Sequence, residues 1–132
     1  MKLCIFGSVT LLDRIQKLGD ELTAAGHQVM LPTTDENAAS WGDVAIEEKV
    51  ARKRAFIEAD LADLKTADAV LIANFPRHGV GGYVGAHTLM EAAFAHAMGK
   101  EVVFLHEIGP QPCRLEAMAI QDRCLGGDLS QL

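Results

Sequence analysis

Residues 69–105 read AVLIANFPRHGVGGYVGAHTLMEAAFAHAMGKEVVFL, and the order of patterns within them predicts the architecture of the chain. The apolar run 69–73 predicts a strand, apolar residues at helical spacing predict a helix over about 87–98, and residues 101–106 predict another strand. A strand, a helix and a strand in this order form a parallel pair with a right-handed crossover. The connection 74–86 contains four glycines and is long for a compact domain, which is typical of a functional loop.

The alternation of strand and helix patterns continues on both sides of this unit. The further predicted elements are a strand over Lys2–Phe6 that ends at Gly7-Ser8, a helix over Leu11–Ala25, a strand over Gln28–Leu31, a loop over Thr33–Gly42, a long helix from about Asp43 to Thr66, a short helix over Pro112–Ile120 and a last strand near Cys124-Leu125. This pattern predicts an α/β fold with a doubly wound parallel sheet of four or five strands between two helical layers. We expect its ligand crevice beyond the carboxyl ends of the strands, where Gly7-Ser8 and the glycine loop both fall.

The composition is that of one soluble globular domain. The 132 residues are 49% hydrophobic and 23% charged, which indicates a single domain over residues 1–132 with an ordinary core. The net charge of -6 argues against a nucleic acid as partner, and no apolar stretch approaches the roughly 18 residues of a membrane span. The N-terminus carries no recognisable secretion signal. Three cysteines without a CxxC pair argue against a disulfide framework and a structural zinc site, so we expect a cytoplasmic protein.

Asp60 is the first of two carboxylates that stand apart from the solvated charges. An apolar stripe in the long predicted helix consists of Ile46, Val50, Ile57, Leu61 and Leu64. At about 100° per residue, Asp60 lies inside the arc bounded by Phe56 and Leu61, so we expect its side chain to face protein. Lys53 falls in the same arc, and a partly exposed ion pair between Lys53 and Asp60 is the alternative interpretation.

Glu91 is the second such carboxylate. It follows Thr88 by three residues, and T-x-x-E at the start of a helix is a capping box, which is a sufficient structural reason for a glutamate. Its location favours chemistry instead, because it follows the long glycine-rich loop at the carboxyl end of a strand. There the helix dipole helps to keep a carboxylate ionised, and an ionised carboxylate at a crevice is a plausible nucleophile. Both interpretations stay open.

The glycine loop excludes two common nucleotide motifs. Its spacing G-x-G-G-x-x-G does not fit the dinucleotide fingerprint with Gly79 as first glycine, and the chain contains no P-loop sequence. The loop glycines permit a close approach of the backbone to a ligand. Tyr83 either stacks on a nucleobase or packs the loop down. The five histidines match no metal-binding motif, although His87 and Glu91 are one turn apart, so we expect no bound metal. The basic cluster Lys49–Arg54 is interpreted as a solvated helix face.

Two segments carry a family resemblance: DLADLKTADAVLIA over 60–73, and TLMEAAFAHAMGKEVVFL over 88–105. With the strand and GS at the start, they resemble the nucleoside 2-deoxyribosyltransferase superfamily, which includes 2′-deoxynucleoside 5′-monophosphate N-glycosidases. The resemblance spans about residues 2–106. It implies a flavodoxin-like sheet, a homodimer or larger homo-oligomer, and cleavage or transfer of the N-glycosidic bond of a nucleoside or nucleotide. Acid/base help and covalent catalysis suffice for this bond, so no cofactor is expected.

The resemblance also implies roles for single residues. Glu91 matches the nucleophile that attacks the anomeric carbon, Asp60 matches the carboxylic residue that assists protonation of the departing base, and Ser8 matches a residue near the sugar or its 5′ group. A carboxylate stabilises the oxocarbenium character of the anomeric centre, and a protonated base leaves more easily. The predicted substrate-binding residues are Gly7, Ser8, Gly81, Gly82, Tyr83, Gly85, His87 and Thr88.

Four positions depart from the family pattern. Cys4 stands where the family often has a tyrosine, and Thr10 stands where the nucleotide-hydrolysing branch has an arginine, which weakens the expectation of a 5′-phosphate. Gly85 and His87 replace the aspartate and glycine of the D-x-G-T-x-x-E pattern in the transferase branch. GGYVGAHTLME also resembles the G-G-x-G-T-x-x-E of nucleotide phosphoribohydrolases, with two extra residues. A non-catalytic nucleotide-binding or sensing domain is therefore kept as the alternative to an enzyme.

Overall fold

A computed structural model describes residues 1–34 and 38–132. The elements in the described part of the chain are β1 (Lys2–Phe6), α1 (Leu12–Ala24), β2 (Gln28–Met30), α2 (Ile46–Thr66), β3 (Ala69–Ile72), α3 (Ala86–Ala97), β4 (Glu101–Phe104), α4 (Arg114–Ile120) and β5 (Arg123–Cys124). Short 3₁₀ turns lie at Val9–Leu11, Ala38–Asp43 and Leu129–Gln131. Each predicted strand and helix is present; β1 has its predicted ends, and the other elements begin or end at different residues than predicted. The first of these turns precedes α1, and the second occupies the later part of the loop predicted over 33–42, of which residues 35–37 lie outside the described residues.

The five strands form one parallel sheet in the order β2-β1-β3-β4-β5. In the centre of this sheet, Cys4 of β1 is in register with Val70 of β3, and Val70 with Val102 of β4. This strand order is the flavodoxin-like one. The predicted α/β class and the count of four or five strands are therefore confirmed.

Alternate residues of each strand point to opposite faces of the sheet, and each face packs on its own helices. On one face, Leu3 and Ile5 of β1 pack with Ile15 and Leu22 of α1. On the other face, the core joins the strands to α2, α3 and α4 through a set of small and apolar residues: Cys4, Phe6, Ile72, Leu64, Ala92, Ala95 and Ala117. Both faces are covered, so the central strands are buried throughout and read as continuous apolar runs.

Helix α2 extends beyond the sheet that it covers. Its 21 residues span about 31 Å, whereas a four-residue strand spans about 13 Å. Its amino-terminal turns therefore have no sheet beneath them, and Ile46 and Val50 are 69% and 51% exposed. The prediction that the apolar stripe runs the whole length of this helix is wrong for these two residues. No helix in the described part of the chain is both long and apolar enough to cross a membrane.

The ladder between β3 and β4 is extended by a side chain. Asn74 Nδ2 donates to the carbonyl oxygen of His106 at 2.8 Å, and Asn74 Oδ1 accepts from the backbone N–H of His106 at 2.9 Å. Asn74 is 1% exposed, and both halves of its amide are satisfied in this way. The first residue of the glycine loop is thus bound to the edge of the sheet, which fixes where the loop begins.

Candidate active site

The candidate site lies at the carboxyl edge of the sheet, between β1 and β3. β1 continues through Gly7 and Ser8 into α1 on one face, whereas β3 continues through the glycine loop into α3 on the other face. Because these two connections leave the sheet in opposite directions, a crevice opens between them, and this is where doubly wound sheets bind ligands.

A narrow crevice occupies this point. Its lining consists of Gly7, Ser8, Leu11, Ala73, Phe75, Arg77, Tyr83, Gly85 and Thr88, and its cavity volume is only about 10 Å³. The predicted residues Gly7, Ser8, Tyr83, Gly85 and Thr88 all line it. Pockets for small molecules usually hold roughly 300 to 1,000 Å³, so a nucleoside requires some opening of the loop.

Gly81 and Gly82 contact protein instead of lining this crevice. Gly82 has φ of 64°, and a Cβ placed on it would meet the carbonyl oxygen of Glu107 at 1.9 Å. Only glycine fits this backbone conformation and this close approach. The side chain of Gln111 also holds the loop, since its amide donates to Gly82 O at 2.9 Å and accepts from Val84 N at 2.9 Å. Substrate binding by Gly81 and Gly82 stays a prediction.

Asp60 is held on the inner side of α2. Its side chain is 3% exposed, as its place in the apolar arc predicts. The backbone N–H of Thr33, which follows β2, donates to Asp60 Oδ1 at 2.9 Å. Among the described residues Asp60 therefore pairs with Thr33 and approaches His87, rather than forming the alternative ion pair with Lys53. The contact with Thr33 orients the carboxylate toward the carboxyl edge of the sheet.

Glu91 belongs to the buried face of α3 and not to its first turn. The helix begins at Ala86 after Gly85, and no side chain caps its first N–H groups. Thr88 therefore lies inside the helix, and the capping-box interpretation of Thr88 and Glu91 is wrong. Glu91 is 2% exposed and shares the buried face of α3 with Thr88, Ala92 and Ala95.

His87 brings the two carboxylates into one cluster. Its Nε2 lies 3.0 Å from Glu91 Oε1 and 4.0 Å from Asp60 Oδ2. One ligand atom from each of Asp60, His87 and Glu91 lies within 4.8 Å of the others. Glu91 Oε2 and His87 Nδ1 are buried without a hydrogen-bond partner among the described residues. Glu91 thus keeps one oxygen that no described donor occupies. His87 is 25% exposed, so the cluster meets solvent through this imidazole.

Burial and mutual contact set the charges of the cluster. Burial favours the neutral form of Asp60, but its interactions with His87 and Glu91 and the hydrogen bond from Thr33 outweigh it, so the pKa of Asp60 lies below its ordinary value. The nearby carboxylates of Asp60 and Glu91 raise the pKa of His87 to about 9. Burial raises the pKa of Glu91 to about 7, although the hydrogen bond with His87 opposes this. At neutral pH, Asp60 is therefore ionised and His87 is protonated, whereas Glu91 is present in both its protonated and its ionised form.

Cys4 lies in the middle of β1, near the two carboxylates. Burial, followed by the negative charges of Asp63, Asp60 and Glu91, raises the pKa of the Cys4 thiol to about 12. The thiol therefore stays protonated and adds no charge to the cluster. Because the side chain of Cys4 is neutral, the net charge of the cluster is set by Asp60, His87 and Glu91 alone.

The cluster offers the donor types of a metal site. One imidazole and two carboxylates suit a divalent cation such as Zn²⁺ or Mn²⁺, and one ligand atom of each residue lies within 4.8 Å of the others. The protonated state of His87 opposes this, since only a neutral imidazole binds a metal. The absence of a required metal stays a prediction, which metal analysis of the purified protein tests.

Sequence reasoning did not single out two residues of the site. Thr33 orients Asp60 through its backbone, and a backbone donor leaves no mark in the sequence beyond its position after a strand. Arg77 lines the crevice and donates from Nη1 to Ser8 Oγ at 2.7 Å. It is the only lysine or arginine in the glycine loop, and this was the signal that could have drawn attention to it.

No protein-family model and no curated protein matches the chain. Among solved structures, a 2-deoxyribosyltransferase of the psychrotolerant bacterium Bacillus psychrosaccharolyticus is similar at a TM-score of 0.63 and 18% identity, covering 94% of this chain and 85% of that chain. This chain has the 2-deoxyribosyltransferase fold. CMP N-glycosidase BcmB of Clostridium botulinum shares it at a TM-score of 0.54 and 16% identity, covering 93% of this chain and 85% of that chain. The 2-deoxyribosyltransferase fold that the sequence resemblance implied is thus confirmed.

Proposed function

We propose that this protein cleaves or transfers the N-glycosidic bond of a nucleoside or nucleotide, with Glu91 as nucleophile and Asp60 as acid/base group. The observation that carries the proposal is the cluster of Asp60, His87 and Glu91, whose two carboxylates are buried and whose His87 and Glu91 share α3 with Thr88, a residue that lines the crevice between β1 and β3. Two carboxylates from distant parts of the chain, one ionised and one titrating near neutrality, are the groups that this reaction needs. Two proteins with the same fold, a 2-deoxyribosyltransferase and a CMP N-glycosidase, add support.

The proposed reaction proceeds in two displacements. Ionised Glu91 attacks the anomeric carbon, a bond forms between its oxygen and that carbon, and the electron pair of the broken C–N bond leaves with the base. The base takes up a proton, which His87 holds at neutral pH and Asp60 passes on. Water or a second base then displaces Glu91 from the anomeric carbon. The proton released in this second step returns to Asp60 and His87, which restores the starting state.

A non-catalytic nucleotide-binding domain is the second candidate. The specific observation in its favour is the narrow crevice, which neither Asp60 nor Glu91 lines. Catalysis therefore requires the substrate to approach the cluster from the side of His87, which is 25% exposed and is the residue through which the cluster meets solvent. Both candidate functions, the enzyme and the binding domain, require that the predicted residues, including His87 and Thr88, bind the nucleoside or nucleotide.

We propose in addition that the protein works as a homodimer or larger homo-oligomer in the cytoplasm. Ile46 and Val50 are exposed and lie one turn apart at the amino-terminal end of α2. Neighbouring apolar side chains of this kind are stabilised when a second copy of the chain covers them, which supports an oligomer. Light scattering of the purified protein tests the assembly, and a monomer counts against a site shared between copies.

The test of the proposed activity is base release from a panel of nucleosides and 5′-monophosphates, followed by chromatography. Wild-type protein is expected to release a base, and Glu91→Gln is expected to lose at least about 10³-fold in rate, because a neutral amide cannot attack. Glu58→Gln, an exposed change on α2, is the matched control and should retain the wild-type rate. Base release that persists in Glu91→Gln would remove the assigned nucleophile. Tight binding of a nucleotide without release of base would favour the second candidate.

A further inference from the structure

The cluster of Asp60, His87 and Glu91 has the spacing of a three-ligand metal site. His87 Nε2 lies 3.0 Å from Glu91 Oε1 and 4.0 Å from Asp60 Oδ2, and one ligand atom of each residue lies within 4.8 Å of the others. Around a tetrahedral Zn²⁺ ion with bonds of about 2.1 Å, neighbouring ligand atoms are about 3.4 Å apart. The two measured distances lie on either side of this value, so the spacing of the three side chains suits one ion of this size.

Two helices supply the three side chains, which explains why the sequence shows no metal-binding motif. His87 and Glu91 are one turn apart on α3, the spacing at which the two histidines of H-E-x-x-H bind zinc on one face of a helix. Asp60 comes from α2. Its Oδ1 accepts from the backbone N–H of Thr33, whereas its Oδ2 faces His87 at 4.0 Å and is left for an ion. Three protein ligands and one open position are typical of a zinc site that exchanges ligands with solvent.

An unpaired oxygen inside the cluster is the independent observation that points to a ligand. Glu91 is 2% exposed, and its Oε2 is buried without a hydrogen-bond partner among the described residues. Buried carboxylate oxygens are ordinarily paired with a donor or a cation, because leaving one unpaired is costly. Asp60 is 3% exposed, so the cluster holds two buried carboxylates beside one imidazole. A divalent cation on a neutral His87 balances the two carboxylate charges and offers Glu91 the partner that it lacks.

The donor set and the access to the cluster determine the kind of cation. Mg²⁺ and Ca²⁺ take six or more oxygen ligands, whereas an imidazole beside carboxylates suits a transition metal. Among divalent cations, Zn²⁺ binds such mixed nitrogen and oxygen sites more tightly than Mn²⁺ and accepts four ligands. His87 is 25% exposed, so an ion reaches the cluster from the side of this imidazole and a water molecule completes its coordination. The chemistry of the cluster therefore favours Zn²⁺.

We propose that Asp60, His87 and Glu91 bind one Zn²⁺ ion, and that this ion inhibits the protein. The inhibition rests on the proposed function, in which Glu91 attacks the anomeric carbon and His87 holds a proton for the base. A bound Zn²⁺ takes the lone pairs of both groups, so the carboxylate no longer attacks and the imidazole no longer carries a proton. The proton that His87 held is released to solvent, since it occupies the same lone pair as the ion. The reaction itself needs no metal.

Titration calorimetry with ZnCl₂ tests the site without any need for turnover. We expect wild-type protein to bind one Zn²⁺ per chain, and both His87→Gln and Glu91→Gln to bind it at least about 10-fold more weakly. His96→Gln, which changes an exposed histidine on the same helix, is the matched control and should bind Zn²⁺ like wild type. MgCl₂ should give no binding at the same concentrations. Circular dichroism checks that each variant is folded, and His87→Gln, a change at a partly exposed residue, decides the outcome if Glu91→Gln does not fold.

Base release with and without Zn²⁺ then separates the two proposals. Wild-type protein is expected to lose most of its rate at a saturating concentration of Zn²⁺ and to recover it when EDTA removes the ion. Equal Zn²⁺ affinities of wild type and His87→Gln overturn the site and show an adventitious ion only. An unchanged rate at saturating Zn²⁺ overturns the inhibition. Zn²⁺ binding that depends on His87 and Glu91, with no base released from any nucleoside or 5′-monophosphate, supports the metal site and overturns the proposed cleavage.

Discussion

The pH dependence of stability tests the cluster of Asp60, His87 and Glu91 without any assumption about a substrate. Glu91 has a pKa of about 7 in the folded chain against 4.5 in the unfolded chain. The folded state therefore binds more protons between these values, and stability falls as the pH rises through this window. His87 has a pKa of about 9 against 6.5, so its contribution is complete below pH 6.5 and is lost as the pH rises toward 9.

The size of the effect follows from these shifts. Each shift corresponds to about 3 kcal/mol at about 1.4 kcal/mol per pH unit. The two groups are hydrogen-bond partners, so their contributions overlap and the sum is smaller than twice this figure. We expect the free energy of unfolding to fall by about 3 to 5 kcal/mol from pH 5 to pH 9, a large part of the stability of an ordinary domain. The lowered pKa of Asp60 acts in the opposite direction, but only as the pH falls below about 4.

The assay is urea unfolding followed by circular dichroism at pH 5, 6, 7, 8 and 9, at constant ionic strength and with a reducing agent for the three free cysteines. In the double variant His87→Gln/Glu91→Gln the fall with pH should shrink to less than half, because both titrating groups are gone. Glu58→Gln, which changes an exposed carboxylate on α2, should keep the wild-type slope. Stability that stays level or increases from pH 5 to pH 9 would refute the reasoning, and so would a full slope in the double variant.

Two further variants test the catalytic role of His87 and the packing of the glycine loop. If base release is observed, His87→Ala should raise the pKa of Glu91 and move the acid limb of the pH–rate profile up by about one unit, since a charge-assisted hydrogen bond is lost. His96→Ala, an exposed histidine on the same helix, is the control, and an unshifted limb in His87→Ala would contradict the role given to this residue. Gly82→Ala should destabilise the fold by about 1 to 3 kcal/mol more than Gly79→Ala in urea unfolding, because a methyl group at Gly82 collides with the carbonyl oxygen of Glu107. A methyl group at Gly79 meets nothing within 4 Å, so Gly79→Ala is destabilised only by the positive φ of this residue. Equal losses of unfolding free energy in the two variants would show that the loop does not pack in this way.

The fold was predictable because its signals are local. The run of buried β-branched and apolar residues in β3, the helical spacing in α3 and the glycine at the end of that helix each act over a few residues. The errors came where one element meets another. Ile46 and Val50 continue the apolar spacing of α2, but their burial depends on whether the sheet reaches beneath them, and periodicity contains no such information.

The candidate site was predictable only in part. Asp60 and Glu91 could be selected because each carboxylate lies on an apolar face or next to a glycine loop. The capping-box alternative for Glu91 failed because the first residue of α3 depends on how the glycine loop packs against Glu107 and Gln111. The protonation state of His87 could not be predicted from the sequence either, because its pKa depends on two carboxylates that come from different helices.

The amino-acid sequence by itself determined the alternation of strands and helices, the parallel sheet, and the edge at which a crevice opens, because hydrophobic periodicity and turn residues operate along the chain. The tertiary structure alone decided the contacts between residues far apart in sequence. Asp60 accepts from Thr33, His87 bridges Asp60 and Glu91, and Arg77 reaches Ser8 across the crevice. These contacts arise where packed layers meet, so their distances, and the charges that follow from them, exist only once the sheet and its helices have assembled.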